Sequence, residues 1–181
     1  IIQNGSDVKR FDKDGAVISR NILSPTLKQN DYLIGFVARW DVYKDIPNLL
    51  AALNIVIKNR ANIKFLFVGE GLNENNNKLS KIIGSAGLTN NIVLLGTRND
   101  IPDFMRTIDV CVLSSISEAF PNVLIEAMAC GTPCVATDVG DIAYIIGETG
   151  WIVPHSNHKA LAKGIIEALS EMQDEQKWTQ R

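Results

Sequence analysis

Two glutamates and two cations hold the most suggestive chemistry in this chain. Glu118 and Glu126 are separated by seven residues in the stretch Ser117–Gly140, S-E-A-F-P-N-V-L-I-E-A-M-A-C-G-T-P-C-V-A-T-D-V-G. Pro121 suits the first turn of a helix, where its missing N–H had no partner to lose, and the apolar run Val123–Ala129 carries that helix into a core until Gly131 stops it. A carboxylate on so apolar a helix is costly to bury unless something pairs with it, so Glu126 points to a ligand as the partner. Asn122 lies four residues before Glu126 and shares its helix face. Glu118 precedes the helix in a loop, which separates the two carboxylates along the axis and sets them at opposite ends of whatever binds.

The N–H groups opening this helix, chiefly those of Asn122 and Val123, are unpaired donors at the positive end of a helix dipole and form a ready phosphate site. Arg39 and Lys44 bring two positive charges to the same edge, so a diphosphate fits between them and the helix. The carboxylates then suit hydroxyl groups, as on a ribose and a sugar, and the whole constellation describes a nucleotide sugar. Blander readings exist for each residue alone. Glu118 could be a charge favourably placed before a helix start, Glu126 a core carboxylate bonded to protein donors, and Arg39 and Lys44 surface charges. A glycosidase-like acid and nucleophile pair accounts for neither the cations nor the phosphate-ready helix.

The elements that must position these residues alternate between strand and helix. Tyr32–Ala38 is a continuous apolar run of the kind buried in a parallel sheet, followed by a loop with Arg39 and Lys44 and a helix capped by Asp45 with Pro47 in its first turn. Strands are expected at Ile63–Val68, Ile92–Leu95, Asp109–Leu113, Cys134–Thr137 and Trp151–Val153. Helices are expected at Asn75–Ala86, from Asp100 and Pro102 through Arg106, from Pro121, at Ile142–Ile146, and from Asn157 to Met172. Residues 12–30 are polar and unpatterned. This order implies right-handed βαβ units, hence an α/β, doubly wound parallel sheet of Rossmann-like type, with ligands in the crevice at the carboxyl ends of the strands. Arg39, Gly69, Gly96 and Glu118 all fall just past strand ends.

Length and composition agree with one folded unit: 181 residues, 46% hydrophobic and 21% charged. The net charge of −2 gives no reason to expect a nucleic-acid partner, and no apolar run approaches the roughly 20 residues of a transmembrane helix. The opening residues do not have the pattern expected of a signal peptide. Three cysteines, Cys111, Cys130 and Cys134, sit in apolar runs and suggest reduced thiols in a cytoplasmic setting. A metal site at Cys130 and Cys134 would need ligands that His155 and His158 are too distant to supply, so no metal is expected.

The stretch from Ser117 resembles the E-x7-E signature of the retaining group 1 glycosyltransferases, two-domain GT-B enzymes that use nucleotide sugars. I-I-Q-N-G-S-D-V-K-R-F resembles the family's segment leading into its C-terminal domain, and F-V-A-R-W-D-V-Y-K-D its phosphate-binding loop; F-V-G-E-G, L-L-G-T-R-N-D-I and T-G-W-I-V-P follow in the expected order. The resemblance covers essentially the whole chain. It implies that Arg39 and Lys44 hold the donor diphosphate and stabilise the leaving group, that Glu118 contacts the transferred sugar, and that Glu126 binds ribose hydroxyls. Backbone groups of Phe120, Pro121, Asn122 and Val123 would meet sugar and phosphate oxygens, and the base would lie against Arg98, Asn99 and Asp100. No cofactor beyond the donor and no metal is implied.

Two positions depart from the family pattern: Asp45 follows Lys44 where a small residue or Asn is usual, and D-I-A-Y-I-I follows Gly140 without a Glu near Ala143 or Tyr144. The resemblance divides the chain into an opening segment (1–30), a core (31–173) and the start of a truncated C-terminal helical tail (174–181). The acceptor-binding N-terminal domain would precede Ile1, would take a glycan or lipid-linked acceptor, and would dock a cytoplasmic enzyme on the inner face of the membrane. The chain alone would then bind donor and turn over little. A dinucleotide-dependent oxidoreductase is a competing reading through G-E-G-L-N-E at Gly69, which lacks the third glycine of its fingerprint; a sugar-nucleotide epimerase is another.

Overall fold

The structure, a computed structural model, describes Asp7 and residues 10–172. The first six residues and the expected tail 174–181 lie outside the described residues. Six strands form one parallel sheet: β1 (Tyr32–Val37), β2 (Ile63–Val68), β3 (Ile92–Gly96), β4 (Val110–Leu113), β5 (Cys134–Thr137) and β6 (Trp151–Val153). Their order is β3-β2-β1-β4-β5-β6. The order reverses between β1 and β4, which pair through Ile34–Val110 and Gly35–Cys111. At such a reversal the connections leave in opposite directions and open a crevice at the carboxyl ends of the two strands.

The strands are apolar on both faces because both are covered. Ile34 and Phe36 of β1, with Phe65 and Phe67 of β2, face a cluster built with α2 (Ile46–Asn59), α3 (Asn77–Ser85) and α7 (His158–Glu171). Leu33, Leu66 and Val68 face the opposite cluster with α4 (Ile101–Thr107), α5 (Asn122–Ala129) and α6 (Ile142–Ile146). Phe36 and Phe67 stack at 5.0 Å and 52°, a tilted aromatic contact at the centre of the first layer.

The segment before β1 is more ordered than its polar sequence predicts. Residues Arg20–Leu23 form the short helix α1, and Phe11, Leu23 and Leu27 are buried against the second cluster. Arg106, at the end of α4, fastens this segment by donating to the carbonyls of Asp12 (2.7 Å) and Ala16 (2.8 Å). Three widely spaced apolar residues and a distant arginine leave no local period, which is why the order is invisible in the sequence.

Candidate functional site

The loop after β1 is shaped by its neighbour after β2. Ala38 N–H donates to Val68 O (2.9 Å) and Trp40 N–H to Glu70 O (2.7 Å), which ties the backbone on either side of Arg39 to the loop after β2. Gly69 permits this contact: its φ is +138°, and a Cβ there would lie 1.8 Å from Ala38 O. Arg39 is exposed and makes no hydrogen bond or ion pair among the described residues. Beyond it, Asp41 caps a 3₁₀ turn (Val42–Lys44) by accepting from Tyr43 N–H at 2.9 Å. Asp45 ends that turn and starts α2 in the left-handed conformation (φ 45°, ψ 50°), its carboxylate accepting from Asn48 N–H. Asp tolerates this conformation better than most residues and is a good helix cap, so Asp45 meets both demands of the position.

Across the crevice, the loop after β4 carries Glu118. Its anchors are two adjacent serines and a threonine, all fully buried. Ser114 Oγ donates to Lys44 O (2.6 Å), Ser115 Oγ donates to Glu118 Oε1 (2.6 Å), and Thr137 Oγ1, at the end of β5, donates to Ser115 O (2.5 Å). Lys44 Nζ forms an ion pair with the same Oε1. Ile116 N–H donates to Tyr43 O at 2.8 Å, a further bond between the two loops. Gly140 supports the underside: its φ is +55°, and a Cβ there would lie 2.0 Å from Glu118 O. Asp141 N–H bonds Ala119 O at 3.1 Å, fixing the same loop. In α6 the departing sequence buries Ile142 and Ile146 and leaves Tyr144 exposed.

The helix expected from Pro121 begins one residue later. Pro121 is the N-cap with extended backbone (φ −76°, ψ 103°), and α5 starts at Asn122. A proline offers no side-chain oxygen, so no side chain caps this helix, and its first N–H groups remain available to an anion. Asn122 is exposed, Phe120 and Val123 are half-buried, and Pro121 is buried. Glu126 is half-buried one turn inside, and no hydrogen bond or ion pair reaches it among the described residues. Burial pushes its pKa up, partly offset by the positive charge of Arg10.

Arg98 turns back on its own loop. Its guanidinium grips the Asp100 carboxylate through Nε–Oδ1 (2.8 Å) and Nη2–Oδ2 (2.5 Å), and this bond holds the Asp100 pKa below its ordinary value. The Arg98 side chain is therefore engaged within its own loop. Arg10 Nη2 donates to Asn99 O at 3.3 Å, which brings a cation from the opening segment toward this loop and toward Glu126.

Lys44 and Glu118, expected at different parts of a ligand, are thus paired directly, while Arg39, Glu126 and the start of α5 remain open. Ser114, Ser115, Thr137 and Arg10 escaped the sequence reading. The signal for the first three was present as polar residues closing the apolar strands Val110–Leu113 and Cys134–Thr137, since buried hydroxyls need partners. Arg10 had no such signal.

A doubly wound parallel sheet with this strand order and open polar loops at its reversal point is the Rossmann-like architecture of the GT-B glycosyltransferases. Residues 19–181 match the family described as glycosyl transferases group 1, and the chain belongs to it. The capsular polysaccharide biosynthesis glycosyltransferase CapM of Staphylococcus aureus is 30% identical over 93% of this chain and 44% of its own length. The UDP-Gal:alpha-D-GlcNAc-diphosphoundecaprenol alpha-1,3-galactosyltransferase of Escherichia coli is 30% identical over 77% of this chain and 36% of its own. Among solved structures, Anabaena Alr3699/HepE in complex with UDP-glucose superposes with a TM-score of 0.77 at 27% identity, covering 97% of this chain and 48% of that one. The chain spans less than half the length of these relatives. No helix among the described residues is long and apolar enough to cross a membrane.

Proposed function

We propose that this chain is the donor-binding half of a retaining glycosyltransferase, moving a sugar from a nucleoside diphosphate to a glycan or lipid-linked acceptor. The observation that supports this most is the convergence, at the β1/β4 reversal, of Lys44 and Glu118 beside a helix start that no side chain caps. A diphosphate on the N–H groups of Asn122 and Val123 draws Lys44 and Arg39 to its oxygens. Their charge stabilises the departing diphosphate as the glycosidic bond breaks, the electrostatic contribution that dominates such chemistry. Glu118 accepts from the transferred sugar near its reacting carbon. Glu126, raised in pKa and without a hydrogen-bond partner among the described residues, accepts from ribose hydroxyls, and hydrogen bonding to the carboxylate offsets the cost of its burial. The base lies on the backbone of Arg98 to Asp100. Acceptor contacts come from the half of the relatives' length that this chain does not span. The UDP-glucose complex of the Anabaena structure supports a nucleotide-sugar donor, and the named relatives support polysaccharide or glycolipid assembly.

The oxidoreductase reading loses its footing in the packing. Gly69 and Gly71 are required by protein contacts: a Cβ on the first would strike Ala38 O, and one on the second would lie 2.6 Å from the Cβ of Trp40. Isothermal titration of the chain with UDP, GDP and ADP tests the proposal. Binding of at least one, unchanged by EDTA and weakened in the Arg39→Ala, Lys44→Ala double variant, is expected. Silence with all three, or tighter binding of NAD than of any diphosphate, would overturn it.

A further inference from the structure

Glu118 Oε1 is claimed twice, by the Ser115 hydroxyl and by Lys44, whereas Oε2 receives no bond among the described residues. This asymmetry divides the carboxylate into a held oxygen and a presented one. We infer that Ser115 is a positioning residue: it fixes the carboxylate plane of Glu118 so that Oε2 meets the transferred sugar, and thereby sets how strongly the site prefers a sugar nucleotide to the bare diphosphate. The inference rests on the donor-site reading above.

The two holders of Oε1 differ in stiffness. Ser115 is fully buried and its own carbonyl is tied to Thr137, so the backbone that carries its hydroxyl is held in place. Lys44 reaches from a flexible four-carbon stem. A donor diphosphate competes with Glu118 for the Lys44 ammonium, and once the lysine turns to phosphate, Ser115 is the partner that still orients the carboxylate. Ser115 therefore matters most in the bound state. Its neighbour does a different job: Ser114 holds the carbonyl of Lys44 and so fixes the backbone that carries the cation. Adjacent serines thus address separate parts of one ligand, Ser114 the diphosphate through Lys44 and Ser115 the sugar through Glu118.

The experiment is a titration of the chain with three pairs of probes: UDP and UDP-glucose, GDP and GDP-mannose, ADP and ADP-glucose. For the pair that binds, Ser115→Ala weakens the sugar nucleotide roughly three- to tenfold, the range for one buried hydrogen bond, and leaves the bare diphosphate within about twofold. Ser114→Ala weakens both members in parallel. In a Glu118→Ala background Ser115→Ala leaves the preference where Glu118→Ala alone put it, because a residue acting through Glu118 has nothing left to position. If Ser115→Ala fails to fold, Ser115→Cys is read the same way, since its thiol keeps the shape and donates weakly. Equal weakening of both members by the Ser115 variant, no change in their ratio, or a full effect without Glu118 overturns the inference while leaving the donor site intact. Absence of binding by every pair overturns the donor site, and the inference with it.

Discussion

The two ends of the sheet hold similar polar residues and differ in how far the protein itself engages them. At the amino end, Asp109 precedes β4 and accepts from Leu33 N–H at 2.6 Å; Asp31 precedes β1 and accepts from Lys28 N–H at 2.7 Å; Thr107 accepts from Ile18 N–H at 2.8 Å. Arg106 serves two carbonyls and Asp103. At the carboxyl end, Arg39 and Glu126 have no partner among the described residues, Glu118 keeps one oxygen open, and α5 starts without a side-chain cap. Asp109 and Glu126 make the contrast sharpest. Burial raises the pKa of both, but a backbone N–H and the charge of Arg20 oppose the rise at Asp109, whereas only Arg10 opposes it at Glu126. A buried carboxylate with protein partners is part of the scaffold. One without them is a cost that a ligand can recover.

If the difference is functional, substitutions at the carboxyl end cost binding and those at the amino end cost stability. The largest effect is expected for the double change Arg39→Ala, Lys44→Ala. Charged hydrogen bonds are worth about 1.5–3 kcal/mol each, so affinity for a nucleoside diphosphate falls at least a hundredfold or so by titration calorimetry. Arg39→Ala alone leaves the Tm within about 1 °C, as for other exposed substitutions. Next comes the amino end: Arg106→Ala removes the bonds that fasten residues 12–16, costing about 3 kcal/mol, with diphosphate affinity held within about threefold. A drop in affinity without loss of Tm would break the comparison.

Gly140→Ala tests the underside of the Glu118 loop. The new methyl meets Glu118 O and the backbone sits at positive φ, so about 1–3 kcal/mol of stability is lost and sugar-nucleotide affinity falls with it. The smallest and most discriminating change is Glu126→Gln. Because the folded Glu126 pKa lies above its unfolded value, the unfolded chain ionises first, and stability declines as pH rises from the unfolded pKa to the folded one, staying lower above both. Glu126→Gln removes that decline. At pH 7 the variant melts slightly higher than the parent, while nucleotide binding weakens. A variant that loses both stability and binding would return Glu126 to the scaffold.

Much of this was readable before any coordinates. Continuous apolar runs such as Tyr32–Val37 and Ile63–Val68 declared strands buried on both faces, and their alternation with capped helices declared a parallel sheet. Glu126 declared itself as a charge on an apolar helix. Motif order along the chain named the family before the fold was in view. Asp45 departs from the family pattern, and in the structure it takes a left-handed backbone and caps α2.

What the sequence determined by itself was the class of fold, the sheet edge on which the candidate residues fall and the identity of their charges, because periodicity and caps are local properties written into neighbouring residues. Only the tertiary structure decided that Lys44 and Glu118 share an oxygen with Ser115, that Arg10 approaches the loop at Asn99, and that Arg106 binds the opening segment to α4. Those contacts join residues 3 to 94 positions apart, and it is the reversal of strand order between β1 and β4 that brings the two crevice loops face to face. Linear spacing carries no record of which loops face one another across a crevice.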